Sequence, residues 1–167
     1  MPRLVLFQPQ IPPNTGNVAR TCAATNTELH LICPLGFAID DRQLKRAGLD
    51  YWPWVSLHVH ADLAAFELER SRRGGRLVAL TSQVERSYSA FRFEASDWLL
   101  LGRETDGLPP DLLKLADVRL TIPMTGSVRS GGGVRSLNLS VAAAVALFEA
   151  LRQLETNPSA AEPCVKS

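Results

Sequence analysis

Short apolar runs, each stopped by glycine or proline, recur along this chain and leave few folds open to it. Leu4 to Phe7 ends at Gln8-Pro9, Glu28 to Cys33 at Pro34 and Gly36, Trp98 to Leu101 at Gly102, and Val118 to Ile122 at Pro123. Such runs suit parallel strands covered on both faces. Val55 to His60 and Arg76 to Thr81 read as two further strands, the second entered through Gly74-Gly75. Helical stretches lie between them. The first is capped by Asn14 or Thr15 behind a proline-stiffened loop and runs to about Ala24. A short charged helix spans Asp40 to Ala47, another Ala61 to Arg72, and a last one about Asn138 to Leu154. Alternating strands and helices predict an open α/β domain. The 167 residues match one domain at roughly 150 residues each. We place it at residues 1–155, with 156–167 as a frayed tail lacking periodicity.

Composition narrows the class. Hydrophobic residues make up 46% and charged residues 21%, which excludes a disordered chain and a coiled-coil rod. No apolar run approaches the ~20 residues that span a bilayer. Only four consecutive apolar residues, Leu4 to Phe7, stand near the N-terminus, too few for a signal-peptide core. A cytoplasmic location away from membranes is therefore expected. Cys22, Cys33 and Cys164 are odd in number and lack C-x-x-C spacing, which suits a reducing compartment and neither a disulfide framework nor structural zinc. The 18 basic and 17 acidic residues leave a net charge of +1, which permits a local basic face without announcing a nucleic-acid partner.

Open α/β sheets bind ligands outside the carboxyl ends of their strands. Three exits stand out: Leu80-Thr81-Ser82; Leu101-Gly102-Arg103-Glu104-Thr105-Asp106-Gly107-Leu108-Pro109; and Ile122-Pro123-Met124, which leads through a Gly/Ser/Arg loop to Ser136-Leu137-Asn138-Leu139-Ser140. Glycine there lets a ligand approach the backbone; the competing reading of Gly102 and Gly107 is simple turn formation. Neither G-x-x-x-x-G-K-[ST] nor G-x-G-x-x-G is present. His30, His58 and His60 fall in or beside strands without helical metal-ligand spacing, so packed histidines and no metal site are expected.

The first helix carries more. Asn17, Arg20, Thr21 and Ala24 share one face, while Val18 and Cys22 point toward a core. Arginine can grip a phosphate with its fork and Asn17 can orient a polar group, although a lone exposed arginine is commonly only solvated. Further basic candidates are Arg42, Lys45 and Arg46, then Arg70, Arg72, Arg73 and Arg76. Tyr51, Trp52 and Trp54 offer stacking surfaces to single-stranded bases, or else are core or interface residues. In the last helix, Val141 to Phe148 is apolar all round, which predicts burial on more than one side. Ala142, Ala143, Ala146 and Ala150 form a small-residue face for close helix approach, within the chain or between subunits.

Three ordered motifs give the chain a resemblance. Ile11 to Arg20, Leu101 to Pro109, and Ile122-Pro123-Met124 with Ser136 to Ser140 resemble the SPOUT superfamily of RNA methyltransferases, specifically the small SpoU-type tRNA 2′-O-methyltransferases of the TrmL-like subgroup. Pro34-Leu35-Gly36-Phe37 and Arg46 to Tyr51 are similar too, and the likeness covers residues 3 to 154. It implies a single open, mostly parallel sheet whose C-terminal segment forms a deep trefoil knot. It implies S-adenosyl-L-methionine as methyl donor, S-adenosylhomocysteine as product, and a site completed across a homodimer. Motif correspondence assigns Leu80, Gly102, Ile122, Met124, Ser136 and Leu137 to the donor pocket. It makes Arg20 catalytic with Asn17, Glu104 and Asn138 in support, and Arg20, Arg42, Lys45, Arg46 and Arg135 contacts to RNA.

The implied reaction is attack of a ribose 2′-hydroxyl on the donor methyl, which needs alignment and deprotonation but no metal. An arginine base conflicts with a pKa above ~12. Arg20 is therefore expected to position the ribose–phosphate and stabilise the developing oxyanion. One departure is the glycine-rich loop from Thr125 to Val134, longer than in related small members, which leaves Ser130 and Ser136 as rival alignments. Ser136 is preferred because Leu137-Asn138-Leu139 follows it. The expected substrate is a tRNA anticodon-loop nucleotide, wobble cytidine or uridine 34. Rival readings are another tRNA or rRNA 2′-O site, a non-catalytic RNA-binding module, and a small-molecule hydrolase, which lacks a nucleophile–base pair here.

Overall fold

The computed structural model describes residues 1–39, 51–125, 134 and 136–155. The charged helix expected at Asp40 to Ala47, the basic candidates Arg42, Lys45, Arg46 and Arg135, the rival Ser130 and the 156–167 tail lie outside the described residues. The elements are β1 (Arg3–Phe7), α1 (Pro12–Thr25), β2 (Leu29–Ile32), a 3-10 turn (Trp52–Trp54), β3 (Leu57–His60), α2 (Leu63–Arg73), β4 (Leu77–Leu80), a second 3-10 turn (Tyr88–Ala90), β5 (Trp98–Leu101), α3 (Pro110–Leu115), β6 (Val118–Leu120) and α4 (Leu139–Glu155).

All six expected strands join one sheet in the order β3-β2-β1-β5-β4-β6. Every neighbouring pair is parallel; Leu4 registers with Leu29 on one side and Leu99 on the other, and Leu80 with Leu101 and Leu120. The strands are short and lack alternation because both faces are covered. On one face Leu4, Leu6, Leu31, Leu99 and Leu101 pack with Val18, Ala19 and Cys22 of α1 and with Ala143, Ala146, Leu147 and Ala150 of α4. On the other, Val5, Phe7, Leu77, Trp98 and Leu100 meet Phe66 of α2 and Leu112 and Leu113 of α3. Each buried leucine or phenylalanine contributes about 1.5–3 kcal/mol over an exposed one. From β1 the chain winds outward through β2 to β3, and from β5 it crosses β4 to β6. The carboxyl ends of β1 and β5 therefore flank the point where winding reverses, the usual crevice of such sheets.

Two local expectations change. Ile11, not Asn14 or Thr15, is the N-cap of α1, with Pro12 and Pro13 opening the helix. Proline suits the first helical position, where its missing N–H costs nothing and its fixed φ is already helical. Asn14 and Thr15 consequently fall inside the first turn and are buried. In α4, Ala143, Ala146 and Ala150 are fully buried against α1 within the chain, but Val141 and Phe148 are 46% and 55% exposed. The helix is thus covered on one side only. No helix among the described residues is long and apolar enough to cross a membrane.

Candidate active site at the carboxyl ends of β1 and β5

The turn after β5 closes over the exit of β1. The backbones of Arg103 and Gly107 exchange two hydrogen bonds of 3.0 Å, and Gly107 has φ +73°, a left-handed conformation that glycine adopts freely. A Cβ on Gly102 would lie 2.2 Å from the carbonyl carbon of Gly107, so only glycine fits there. Both glycines therefore shape the turn, the plainer of the two readings. Arg103 locks it from outside: its guanidinium pairs with Asp106 at 2.6 and 2.7 Å and donates to Gln8 Oε1 at 2.9 Å.

The turn aims Glu104 at the start of α1. Glu104 Oε2 accepts from the Gln10 N–H at 2.9 Å, and Oε1 accepts from the Ile11 N–H and from Asn14 Nδ2, both at 3.2 Å. A carboxylate thus serves the helix N-terminus, where backbone donors lack intrahelical partners and the dipole favours negative charge. Asn14 Oδ1 in turn accepts from Asn138 Nδ2 at 2.9 Å. Asn138 Oδ1 accepts from the Ser140 N–H at 2.9 Å and its hydroxyl at 2.7 Å, which caps α4. Both amides have only one workable orientation. An ionised carboxylate only accepts and a backbone N–H only donates, so the chain Glu104–Asn14–Asn138–Ser140 is fixed in direction from both ends.

The three motifs meet here. Glu104 and Asn138, both expected in support of Arg20, are joined through Asn14, which sequence reasoning singled out only as a possible cap. The available signal was its place six residues before Arg20 on the same helix as Asn17. Asn17 itself lies one turn further along, exposed, and its side chain makes no hydrogen bond among the described residues; its carbonyl accepts from Thr21 Oγ1 at 3.1 Å. Arg20 is exposed on the same face. Its guanidinium carbon lies 5.8 Å from the centre of the Tyr51 ring, while the Tyr51 hydroxyl donates to the Gly16 carbonyl at 2.7 Å. Arg20 pairs with no carboxylate among the described residues.

The expected donor-pocket residues cluster by strand order. Leu80, Gly102 and Ile122 stand at or just past the ends of β4, β5 and β6, which are neighbours in the sheet. Leu80 and Gly102 are buried, Ile122, Met124 and Leu137 half-buried, and Ser136 exposed. Leu80, Leu101, Leu120 and Leu139 share one core cluster, so the approach to α4 lies close to these strand ends.

Other candidates belong elsewhere. Arg70, Arg72, Arg73 and Arg76 each have a carboxylate partner, Glu67, Glu69, Glu28 and Asp97 respectively, at 2.7–2.9 Å. His30 is buried, bonded through Nδ1 to His60 Nε2 at 2.9 Å and through Nε2 to Glu28 Oε2 at 3.2 Å. The Arg73 hydrogen bonds hold the Glu28 carboxyl down at about 2, and burial, aided by His58, pulls His30 down to about 4. An ionised Glu28 requires the His30 proton on Nε2, so Nδ1 accepts from His60. Ligating atoms of Glu28, His30 and His58 lie within 4.8 Å of one another. The His30 and His58 rings, however, are stacked 4.5 Å apart and within 10° of parallel. A metal binds in the plane of an imidazole, and two stacked planes share no such point. Trp54 is not a core residue: it is 76% exposed, whereas Trp52 packs against the core.

A six-stranded parallel sheet covered on both faces, with a polar relay where its winding reverses, defines an open doubly wound α/β domain among the described residues. The chain belongs to the SpoU rRNA Methylase family, whose model matches residues 1–148. It is 46% identical over 159 residues to a tRNA (cytidine(34)-2'-O)-methyltransferase of Yersinia pestis, covering 92% of this chain and 94% of that one. A solved structure reported as giving structural insights into the 2-OH methylation of C/U34 on tRNA is 51% identical, with TM-score 0.85 over 93% of this chain and 97% of that one. An AdoMet-bound rRNA methyltransferase from Sinorhizobium meliloti is 25% identical with TM-score 0.79, over 92% of this chain and 56% of that one.

Proposed function

We propose that the protein methylates the ribose 2′-hydroxyl of wobble nucleotide 34, cytidine or uridine, in tRNA, with S-adenosyl-L-methionine as donor. The observation that carries this reading is the Glu104–Asn14–Asn138 relay, which joins all three motifs at the base of the helix that presents Arg20. Similarity to the wobble methyltransferases supports the substrate. A tRNA substrate supports a cytoplasmic location.

When bound, the donor supplies an electrophilic methyl on a sulfonium and leaves as S-adenosylhomocysteine. Leu80, Ile122, Met124 and Leu137 offer apolar surface for an adenine, and the Ser136 hydroxyl and the backbone around Gly102 offer polar contacts. These groups fit such a donor, since its ring is flat and apolar and its edges are polar. The AdoMet-bound relative supports the same fold as a home for it. Arg20 serves as a guanidinium fork that aligns the ribose–phosphate and steadies negative charge growing on the 2′-oxygen, while the hydroxyl proton passes to water at this exposed face. Asn17, one turn earlier on the same exposed face, orients the sugar. Glu104, saturated by three donors, and Asn138, which caps α4, are positioning residues. They hold α1 against α4 so that Arg20 and the donor site keep one geometry.

The return of the chain from edge strand β6 to Asn14 supports a trefoil-knotted C-terminal segment. The uncovered Val141 and Phe148 on α4 support a homodimer. Phe148 also lines a groove of about 560 Å³ with Met1, Ala24, Leu151 and Leu154, edged by Thr25, Arg152 and Glu155. Sedimentation of Phe148→Glu as a monomer, against a dimeric parent, tests that assembly.

The function is tested by methyl transfer from labelled donor to tRNA lacking wobble 2′-O-methyls, with the product nucleotide mapped by mass spectrometry. Label at nucleotide 34 that disappears in Arg20→Ala is expected. Label at another nucleotide would retain the reaction and overturn the wobble assignment. Donor and tRNA binding without label would favour a binding module.

A further inference from the structure

We propose that Trp54 is a stacking platform for a nucleobase of the anticodon loop, set beside the nucleotide that Arg20 holds; this rests on the tRNA reading above. Trp54 is 76% exposed, and its neighbour Pro53 is also exposed. A lone exposed apolar side chain is ordinary, but an indole is a flat amphipathic surface suited to stacking, and here the chain ties it to a helix that presents an arginine. Trp54 is not loosely held. The Trp54 N–H donates to the Tyr51 carbonyl at 2.9 Å and the Val55 N–H to the Trp52 carbonyl at 3.1 Å, which closes a 3-10 turn with Pro53 fixed inside it. Tyr51, at the start of that turn, bonds Gly16 of α1 through its hydroxyl and lies under Arg20. Trp54 follows Tyr51 by one such turn, about 6 Å of rise. The backbone that carries the indole is thus tied through Tyr51 to the helix that carries Arg20.

The chemistry of the pair selects the occupant. An aromatic face with a nearby cation free of carboxylate partners among the described residues matches a base joined to a ribose–phosphate. A protein partner that covered the indole with apolar side chains would also bury the Arg20 charge without compensation. Anticodon-loop bases are single-stranded and can splay onto an aromatic ring, a contact that tolerates any base because each has a π-face.

The test compares wild-type, Trp54→Ala and Trp54→Phe proteins in steady-state methylation of tRNA. Sedimentation of each is measured, together with tryptophan fluorescence during titration with an anticodon stem-loop RNA. Losing one base–aromatic stack predicts a KM for tRNA raised about tenfold in Trp54→Ala. The KM for the donor and the sedimentation are unchanged, and Trp54→Phe stays within about threefold of wild type. The stem-loop quenches wild-type fluorescence and loses most of that quenching in Trp54→Phe. A normal tRNA KM in Trp54→Ala overturns the proposal. So does a shift in its oligomeric state, which would make Trp54 a subunit contact. Absent methylation by the wild type would instead sink the methyltransferase reading, while RNA-dependent quenching at Trp54 would still support the platform.

Discussion

Asn138 donates its side-chain N–H to the Oδ1 of Asn14 at 2.9 Å, across 124 positions of sequence. That bond ties the start of α4 to the first turn of α1, and through Glu104 to the turn after β5. Asn14 is buried, and replacing it with leucine frees the donor on Asn138 and removes one of the three on Glu104. Asn138 is exposed and its freed amide can turn to water, so the loss is that of two hydrogen bonds, at about 0.5–1.5 kcal/mol each. Asn14→Leu should lower unfolding stability by that amount in urea, and should lower single-turnover methyl transfer at least tenfold at a temperature where it remains folded. Loss of stability with full turnover would make the relay merely structural.

Arg20 separates charge from shape. If the fork aligns the ribose–phosphate, Arg20→Lys should keep tRNA binding within a few-fold while single-turnover transfer falls at least tenfold. Arg20→Ala should lose both. Near-full turnover in Arg20→Lys would show that a point charge suffices.

The two glycines of the turn after β5 make opposite demands. Gly102→Ala sets a Cβ 2.2 Å from the Gly107 carbonyl carbon and must displace the turn that carries Glu104. Gly107→Ala meets no atom within 4 Å and bears only the strain of φ +73°, about 1–2 kcal/mol. Thermal melts should therefore rank Gly102→Ala well below Gly107→Ala. Activity should fall disproportionately in the former, because Glu104 loses its position.

The histidine cluster gives the fold a pH dependence remote from the site. His30 titrates at about 4 in the native state against an ordinary 6.5. The unfolded chain thus binds more protons between those values. The stabilising contribution is complete above pH 6.5, is lost as pH falls toward 4, and is gone below it. The slope from this group reaches about 1.4 kcal/mol per pH unit. His60, also lowered by burial, acts in the same sense. Glu28 extends the loss from about 4.5 down to about 2. Urea unfolding between pH 4.5 and 7 should show the slope, and His30→Gln should flatten it. An unchanged slope would place the titration elsewhere.

The six strands were legible because parallel strands covered on both faces spell themselves as apolar runs with glycine or proline at the exit. The core face of α1 was legible for the same reason: Val18 and Cys22 repeat at helical spacing. The relay was not. Asn14 hydrogen-bonds partners 90 and 124 positions away, and no local pattern states such a distance. Its cap-like neighbourhood pointed to a different role, which Ile11 took once Pro12 and Pro13 opened the helix one turn earlier. The basic residues at the end of α2 and just after it were hard to place, since charge in sequence does not reveal that Glu28, Glu67, Glu69 and Asp97 pair with them. In α4 the all-round apolar stretch was legible, but burial on more than one side did not follow from it: Val141 and Phe148 stay exposed within the chain.

A double-mutant cycle between Glu104 and Asn138 tests the relay most directly. Glu104→Gln, Asn138→Ala and the double variant would be compared in single-turnover methyl transfer to tRNA at saturating donor. Since both act through Asn14, the double variant should fall little further than the worse single variant, a strong coupling for residues that share no direct bond. Losses that multiply independently would contradict a common relay through Asn14.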